Sequence, residues 1–258
     1  MFTFITYQVS KRVAVITLNR PEKRNALHPD VVSELITAFD TAREDESVKV
    51  IVLKANGEAF CAGADLAYLQ QLQQNTFEEN LADSRHLKRL FELIYNHPKV
   101  VIAQIEGHAL AGGCGLATVC DFAFAIPEAK FGFTEVKIGF IPAIVMVFLL
   151  RKTTEKKAKE LLLTGNLISA QEAVNYGIIT KVVDKEAIAA SVNEFISNLL
   201  HQTSATSLTI TKQMIAAVQH LSVEEALEYA AQQNAKAREG ADCKKGIAAF
   251  LNKEKLNW

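Results

Sequence analysis

Apolar positions along the chain fall into two rhythms. Near the N-terminus they alternate with polar ones, so residues 4–9 and 13–18 read as two strands joined at Ser10 and Lys11. Past a polar loop, residues 19–28, the spacing changes. Val31, Leu35, Ala38, Phe39 and Ala42 recur three and four residues apart, as on one buried helix face, and Pro29 suits the first turn. Residues 48–54, VKVIVLK, return to strand chemistry. Helical spacing over residues 77–96 ends at His97-Pro98, and a strand follows over 100–105. A glycine turn and helix over 112–119 lead to short strands at 122–125 and 130–133.

This succession of strand, loop and helix predicts an α/β core. The second half is mainly helical. The spacing predicts helices over residues 154–163 and from Ser169 to near Gly177, a strand over 178–183, then helices over 185–200, 204–220, 223–237 and 241–253. A soft boundary near residue 199 separates an α/β part, 1–199, from a helical part, 200–258. Residues 142–150, PAIVMVFLL, are uniformly apolar and read as a buried helix.

Composition narrows the function classes. A chain of 258 residues with 49% apolar side chains can bury a large core. A formal net charge of −1 provides no global field for nucleic acid. The start of the sequence lacks a basic stretch followed by an apolar run, so no signal peptide is expected. The longest apolar run, around 138–150, is too short to span a bilayer. Cys61, Cys114, Cys120 and Cys243 form no CxxC pair and read as free thiols in a reducing compartment, the cytoplasm. Neither the aspartates nor the histidines form a metal-ligand pattern.

Two glycine turns carry the candidate chemistry. One is the stretch 105–120, IEGHALAGGCGLATVC, with Gly112, Gly113 and Gly115; the other is 60–66, FCAGADL, with Gly63. Each follows a strand and precedes a helix, where backbone amides lack helical acceptors. Two such turns can aim two amides at one oxygen that gains negative charge; as strand-to-helix connections they also fit a purely structural role. Neither is a GxGxxG or GxxxxGK[ST] phosphate loop. Glu135, in GFTEVKIG beside Phe131, Phe133, Ile138 and Phe140, is an acid/base candidate, because apolar neighbours disfavour its charged form. A surface carboxylate fits the same spacing. Asp65 reads as a helix-start residue and Asp121 as a structural acceptor of backbone donors.

FCAGADL, GHALAGGCGLATVCD and AKFGFTEVKIGFIPA, in this order, resemble the crotonase (enoyl-CoA hydratase/isomerase) superfamily, and the likeness runs from NRPEKRNAL to GIAAFLNKEK. The resemblance implies a spiral core of repeated ββα units, a helical C-terminal trimerisation region, and a homotrimer or a hexamer built as a dimer of trimers. It implies an acyl-CoA thioester as substrate, with no metal or other cofactor. It places the enolate-stabilising amides at Ala64 and Gly112 and the catalytic acid/base at Glu135. It places CoA contacts at Lys23, Arg24 and Ala26, at Ala62, Ala64, Asp65, Leu66 and Gly112, and at Phe250 and Lys253, the last two toward a neighbouring subunit.

Two departures bear on the reaction. Two-glutamate hydratases of this superfamily carry their other acid where this chain has Gly115, and the glycine-rich run followed by polar residues that members often have is here the apolar 142–150 stretch, whose alternative to a buried helix is a changed lining at the acyl end of the pocket. Hydration leads as the expected reaction. Double-bond isomerisation by Glu135 alone and a non-catalytic acyl-CoA-binding role are the alternatives.

Overall fold

A computed structural model describes residues 2–258. Strands β1 (Ile5–Ser10) and β2 (Val13–Leu18) form an antiparallel hairpin. Its turn residues Lys11 and Arg12 have φ of 48° and 67°, the left-handed pair of a two-residue hairpin turn whose twist matches the strands. Helix α1 (Pro29–Glu44) buries the predicted stripe of Val31, Leu35, Ala38, Phe39 and Ala42. Its first turn is capped by His28, whose ring accepts from the Asp30 amide.

The chain then winds. Strand β3 (Val50–Ala55) is followed by the short β4 (Ala59–Cys61) and by α2 (Leu66–Leu72) and α3 (Phe77–Tyr95). Strand β5 (Val100–Ile105) is followed by β6 (His108–Leu110) and α4 (Gly112–Val119). Strands β7 (Phe122–Ala125) and β8 (Lys130–Gly132) lead to a 3-10 turn, Glu135–Ile138, and to α5 (Ala143–Leu149). In each round the first strand joins one sheet and the short second strand joins another. The larger sheet has the order β1-β2-β3-β5-β7-β10, with β10 at Lys181–Val182; the smaller has β4-β6-β8-β9, with β9 at Ile168–Ser169. This is the spiral of repeated ββα units that the resemblance implies.

The larger sheet is parallel from β2 onward. Parallel strands covered on both faces carry continuous apolar runs, and all six residues of β5 are buried. Helices α6 (Glu155–Thr164) and α7 (Ala170–Asn175) follow α5, and α8 (Ile188–Gln202), α9 (Ala205–Val218), α10 (Val223–Glu239) and α11 (Ala241–Leu251) complete the chain. Lysines tie several helix ends to this frame. Lys49 donates to the carbonyls of Leu200, at 3.0 Å, and Thr203 at the end of α8. Lys99 donates to those of Ala42 and Asp45 at the end of α1, and Lys152 to that of Cys120 after α4. A cation at a helix C-terminus meets carbonyls with no helical donor and the negative end of the dipole. Asp121 accepts from the Val101 amide and from Lys212 Nζ, both at 2.7 Å, the structural role read from the sequence.

Two expectations need correction. Residues 178–183 hold only the two-residue strand β10, because Gly177, with φ of 77°, closes the preceding helix and the amides of Ile178 and Ile179 both donate back to the Ala173 carbonyl. Residues 142–150 do not form a buried helix. Helix α5 buries Val145 and Leu149, while Ile141, Met146, Val147 and Leu150 are exposed. Nothing polar marks its outer face in the sequence, so apolarity alone gave no clue to which side faces solvent.

Candidate functional site

The smaller sheet brings the candidate residues together. Strands β4, β6 and β8 lie side by side and parallel, with Cys61 opposite Ala109 and Leu110 opposite Gly132. Ala64, Gly112 and Glu135 each lie two or three residues past the carboxyl ends of these strands. Three segments far apart in sequence therefore leave one sheet edge at neighbouring points, the usual place for a ligand in parallel α/β structures.

The Ala64 turn is held by the loop before α1. The Leu27 amide donates to the Gly63 carbonyl at 2.7 Å and the Asp65 amide donates to the Leu27 carbonyl at 2.9 Å, a parallel bridge between Leu27 and Ala64. In such a bridge the amide of the residue between those two partners points away from the opposing strand. The Ala64 amide has no acceptor among the described residues. Arg20 donates to the Asp65 carboxylate at 2.7 Å, and that carboxylate also caps α2 through the amides of Ala67 and Tyr68. Burial alone would raise the Asp65 pKa; the bonds from Arg20 and the two amides outweigh it and hold the carboxyl below its usual range.

The second turn is strained. Ala111 has φ of 49° and ψ of −122°, far from ordinary ground for a side-chain-bearing residue, and its amide is tied to the Gly132 carbonyl at 2.7 Å. Such outliers persist where the surroundings over-determine them. The α4 N-terminus has no side-chain cap, and the Gly112 amide has no acceptor among the described residues. The two turns are in contact: a β-carbon on Gly63 would stand 3.2 Å from the Leu110 carbonyl and 3.5 Å from the Gly112 nitrogen, and one on Gly113 would overlap the Cys61 carbonyl. Two unpaired amides on touching turns, one at the positive end of a helix, can hold an oxygen that gains negative charge.

Glu135 opens the 3-10 turn after β8. Its Oε2 is buried and has no hydrogen-bond partner among the described residues. Burial pushes the carboxyl above its usual range, and its own backbone amide offsets this only in part. An unpartnered, desolvated carboxyl can exchange a proton near neutral pH. Cys114 lies close by; burial pushes its thiol up to about 12, with the Glu135 charge adding to the effect, so it is inert as a nucleophile.

The remaining expected residues divide. Lys23 and Arg24 are exposed and Ala26 is buried; the Arg24 carbonyl accepts from the Ala62 amide at 3.1 Å, so this loop adjoins the Ala64 turn. Leu66 is 78% exposed beside it, whereas the Asp65 carboxylate is engaged by Arg20 and the helix cap. Phe250 is 84% exposed on α11, and no hydrogen bond among the described residues joins it or Lys253 to these loops. Other polar side chains are engaged elsewhere: Tyr68 donates to Asp83 at 2.6 Å, His86 pairs with Ser33 and His108 accepts from the Lys130 amide.

Three residues escaped sequence reasoning. Leu27 Cδ1 lies 3.1 Å from where a Gly112 β-carbon would be. Val145 and Phe91 pack against Gly115: a β-carbon there would overlap Val145 Cγ1 and stand 3.0 Å from both Val145 Cβ and Phe91 Cε1. An apolar side chain in an apolar run gives no local signal of such a contact. Among the described residues no group of three or more His, Cys, Asp or Glu side chains is placed to hold a metal ion, and no helix is long and apolar enough to cross a membrane.

Comparison with known proteins agrees with this architecture. The profile of the Enoyl-CoA hydratase/isomerase family matches residues 8–258. A Thermus thermophilus protein that carries an enoyl-CoA hydratase name is 42% identical over 95% of this chain and 97% of its own. A crotonyl-CoA hydratase of Syntrophomonas wolfei is 32% identical over 98% and 97%. The crystal structure of an enoyl-CoA hydratase from Mycobacterium smegmatis superposes with a TM-score of 0.94 at 30% identity, covering 99% of both chains. With the spiral of ββα units and the matching profile over nearly its whole length, the chain belongs to the enoyl-CoA hydratase/isomerase family of enzymes.

Proposed function

We propose that the protein hydrates an enoyl-CoA thioester, with the amides of Ala64 and Gly112 holding the thioester oxygen and Glu135 moving the protons. The observation that carries this reading is the departure of both turns and of Glu135 from neighbouring ends of β4, β6 and β8. In the reaction, water oxygen bonds to the β-carbon and gives up one proton while a proton is delivered to the α-carbon. Charge builds on the thioester oxygen between these events, and two fixed amides stabilise it at no cost of reorganisation. No redox group or metal is needed for that balance. Hydration is also the activity in the printed names of the Thermus and Syntrophomonas relatives.

A second reading is favoured by Gly115. A single carboxylate suffices to take the α-proton of a β,γ-enoyl-CoA and return it at the γ-carbon, shifting the double bond with no atom gained or lost. Incubation of crotonyl-CoA in oxygen-18 water tests the first reading. Labelled 3-hydroxyacyl-CoA supports it; no hydration of crotonyl-CoA, together with conversion of a 3-enoyl-CoA to the 2-enoyl isomer, replaces it with the second.

The loop at Lys23, Arg24 and Ala26 adjoins the Ala64 turn and is suited to receive the CoA moiety, with Ala62 and Leu66 beside it. The exposed Phe250 and the following Lys253 would meet the CoA of a neighbouring subunit in a trimer or a dimer of trimers, with residues 200–258 as the assembling part. A water-soluble CoA ester is in keeping with a cytoplasmic setting.

A further inference from the structure

Gly115 lies three residues after Gly112, and residues three apart share a helix face. A side chain at 115 would therefore start on the same helix face as one at 112, one turn from the Gly112 amide. That space is filled. Val145, 4% exposed, puts Cγ1 where the first carbon of any such side chain would stand, and Phe91 closes the other side. Phe91 is itself braced by Phe148, ring centroids 5.9 Å apart, and Phe148 by Tyr95 at 5.2 Å. The Phe91 side of the wall is thus supported from behind by α3 and α5, and Val145 Cβ, fixed by the α5 backbone, stands 3.0 Å from a β-carbon at 115 whichever way its methyl groups turn. It also belongs to the segment that begins at Glu135, since α5 follows the 3-10 turn.

The geometry points to Gly115 and Val145 as one interlocked pair, in which Val145 takes the volume a second acid would need and so determines the reaction. This rests on the reading of Glu135 as the acid/base. In a two-acid hydration, one carboxylate takes a proton from water as its oxygen bonds to the β-carbon, and the other delivers a proton to the α-carbon. Here an apolar methyl group replaces the first carboxylate. Glu135 then handles every proton, including the one that the attacking water gives up. The two departures of this chain, glycine at 115 and an apolar 142–150 segment, are then a single change made in two places.

The test is a pair of double-mutant cycles. In the first, Gly115→Ala, Val145→Ala and their combination are melted. Interlocking predicts that Gly115→Ala alone lowers the melting temperature and that adding Val145→Ala restores at least half of the loss, although Val145→Ala is destabilising by itself. Additive losses overturn the interlock. In the second, Gly115→Glu, Val145→Gly and their combination are assayed with crotonyl-CoA. Gly115→Glu alone is expected to fall below the wild type. The combination is expected to hydrate at least tenfold faster than the wild type, because the new carboxylate then has room. A combination that melts cooperatively yet hydrates no faster overturns Val145 as the determinant of the reaction. Should it fail to fold, the alanine cycle decides the interlock and the hydration rate of Gly115→Glu combined with Val145→Ala decides the reaction. Glu135→Gln in the wild-type background separates the two levels of the account: full turnover in that variant defeats the acid/base reading, and the melting cycle still judges the interlock.

Discussion

Gly63 and Ala111 sit so close that a β-carbon on Gly63 would stand 2.7 Å from the β-carbon of Ala111. Gly63 also has φ of 92°, which a side-chain-bearing residue rarely adopts. Gly63→Ala therefore strains the backbone and wedges the two turns apart. A fall of about two to three powers of ten in kcat/KM is expected, as for loss of one oxyanion donor. The effect should lie in kcat, with acyl-CoA binding measured by calorimetry changed far less.

Asp65 and Arg20 brace the same turn. Asp65→Ala removes the cap of α2 and leaves a mostly buried guanidinium with only the exposed Glu22 carboxylate, 4.0 Å from its Nε. A lost cap costs about 1 kcal/mol and a broken buried pair more, so a loss of about 3 kcal/mol is expected in urea unfolding. Arg20→Ala and the double variant complete the cycle; if the pair couples, the double loss is smaller than the sum.

His97 makes acid sensitivity part of the fold. It is fully buried, its Nε2 pairs with the Phe39 carbonyl and its Nδ1 accepts from the Lys99 amide. Burial, more than the nearby Lys212 and Arg43 charges, lowers its pKa from 6.5 to about 4. A lowered histidine pKa means that the folded state prefers the neutral ring. Its contribution is complete above the unfolded value of 6.5 and is lost as pH falls toward about 4. The loss approaches about 3 kcal/mol at its limit. Melting temperatures measured between pH 7 and pH 4 should fall over this window, and His97→Gln should flatten the fall.

The long elements were legible because their periodicity is strong. Helix α1 and strand β5 follow from spacing and β-branching alone. The glycine turns and Glu135 were legible through motif order, and their convergence has a physical basis in three short parallel strands. Those strands were harder: β4 and β6 have three residues each, too few for alternation to register. The outward face of α5 and the fit of Val145 against Gly115 were not legible, because an apolar residue carries no mark of which neighbour it meets. Arg20 sits in a polar loop where nothing local distinguishes it from Arg24, and only the fold pairs it with Asp65.

Glu135 is the residue proposed to move the proton. With the wild type, kcat/KM for hydration, in which the ionised Glu135 first takes a proton from water, should climb with pH through a midpoint above the ordinary carboxylate value of 4.5, because burial raises the Glu135 pKa. The decisive measurement is turnover by Glu135→Gln alongside its acyl-CoA affinity. If Glu135 moves the proton, affinity stays within a few-fold of wild type and turnover falls by about two to four powers of ten, with the pH limb gone. A glutamine variant that keeps both wild-type turnover and the pH limb would contradict it.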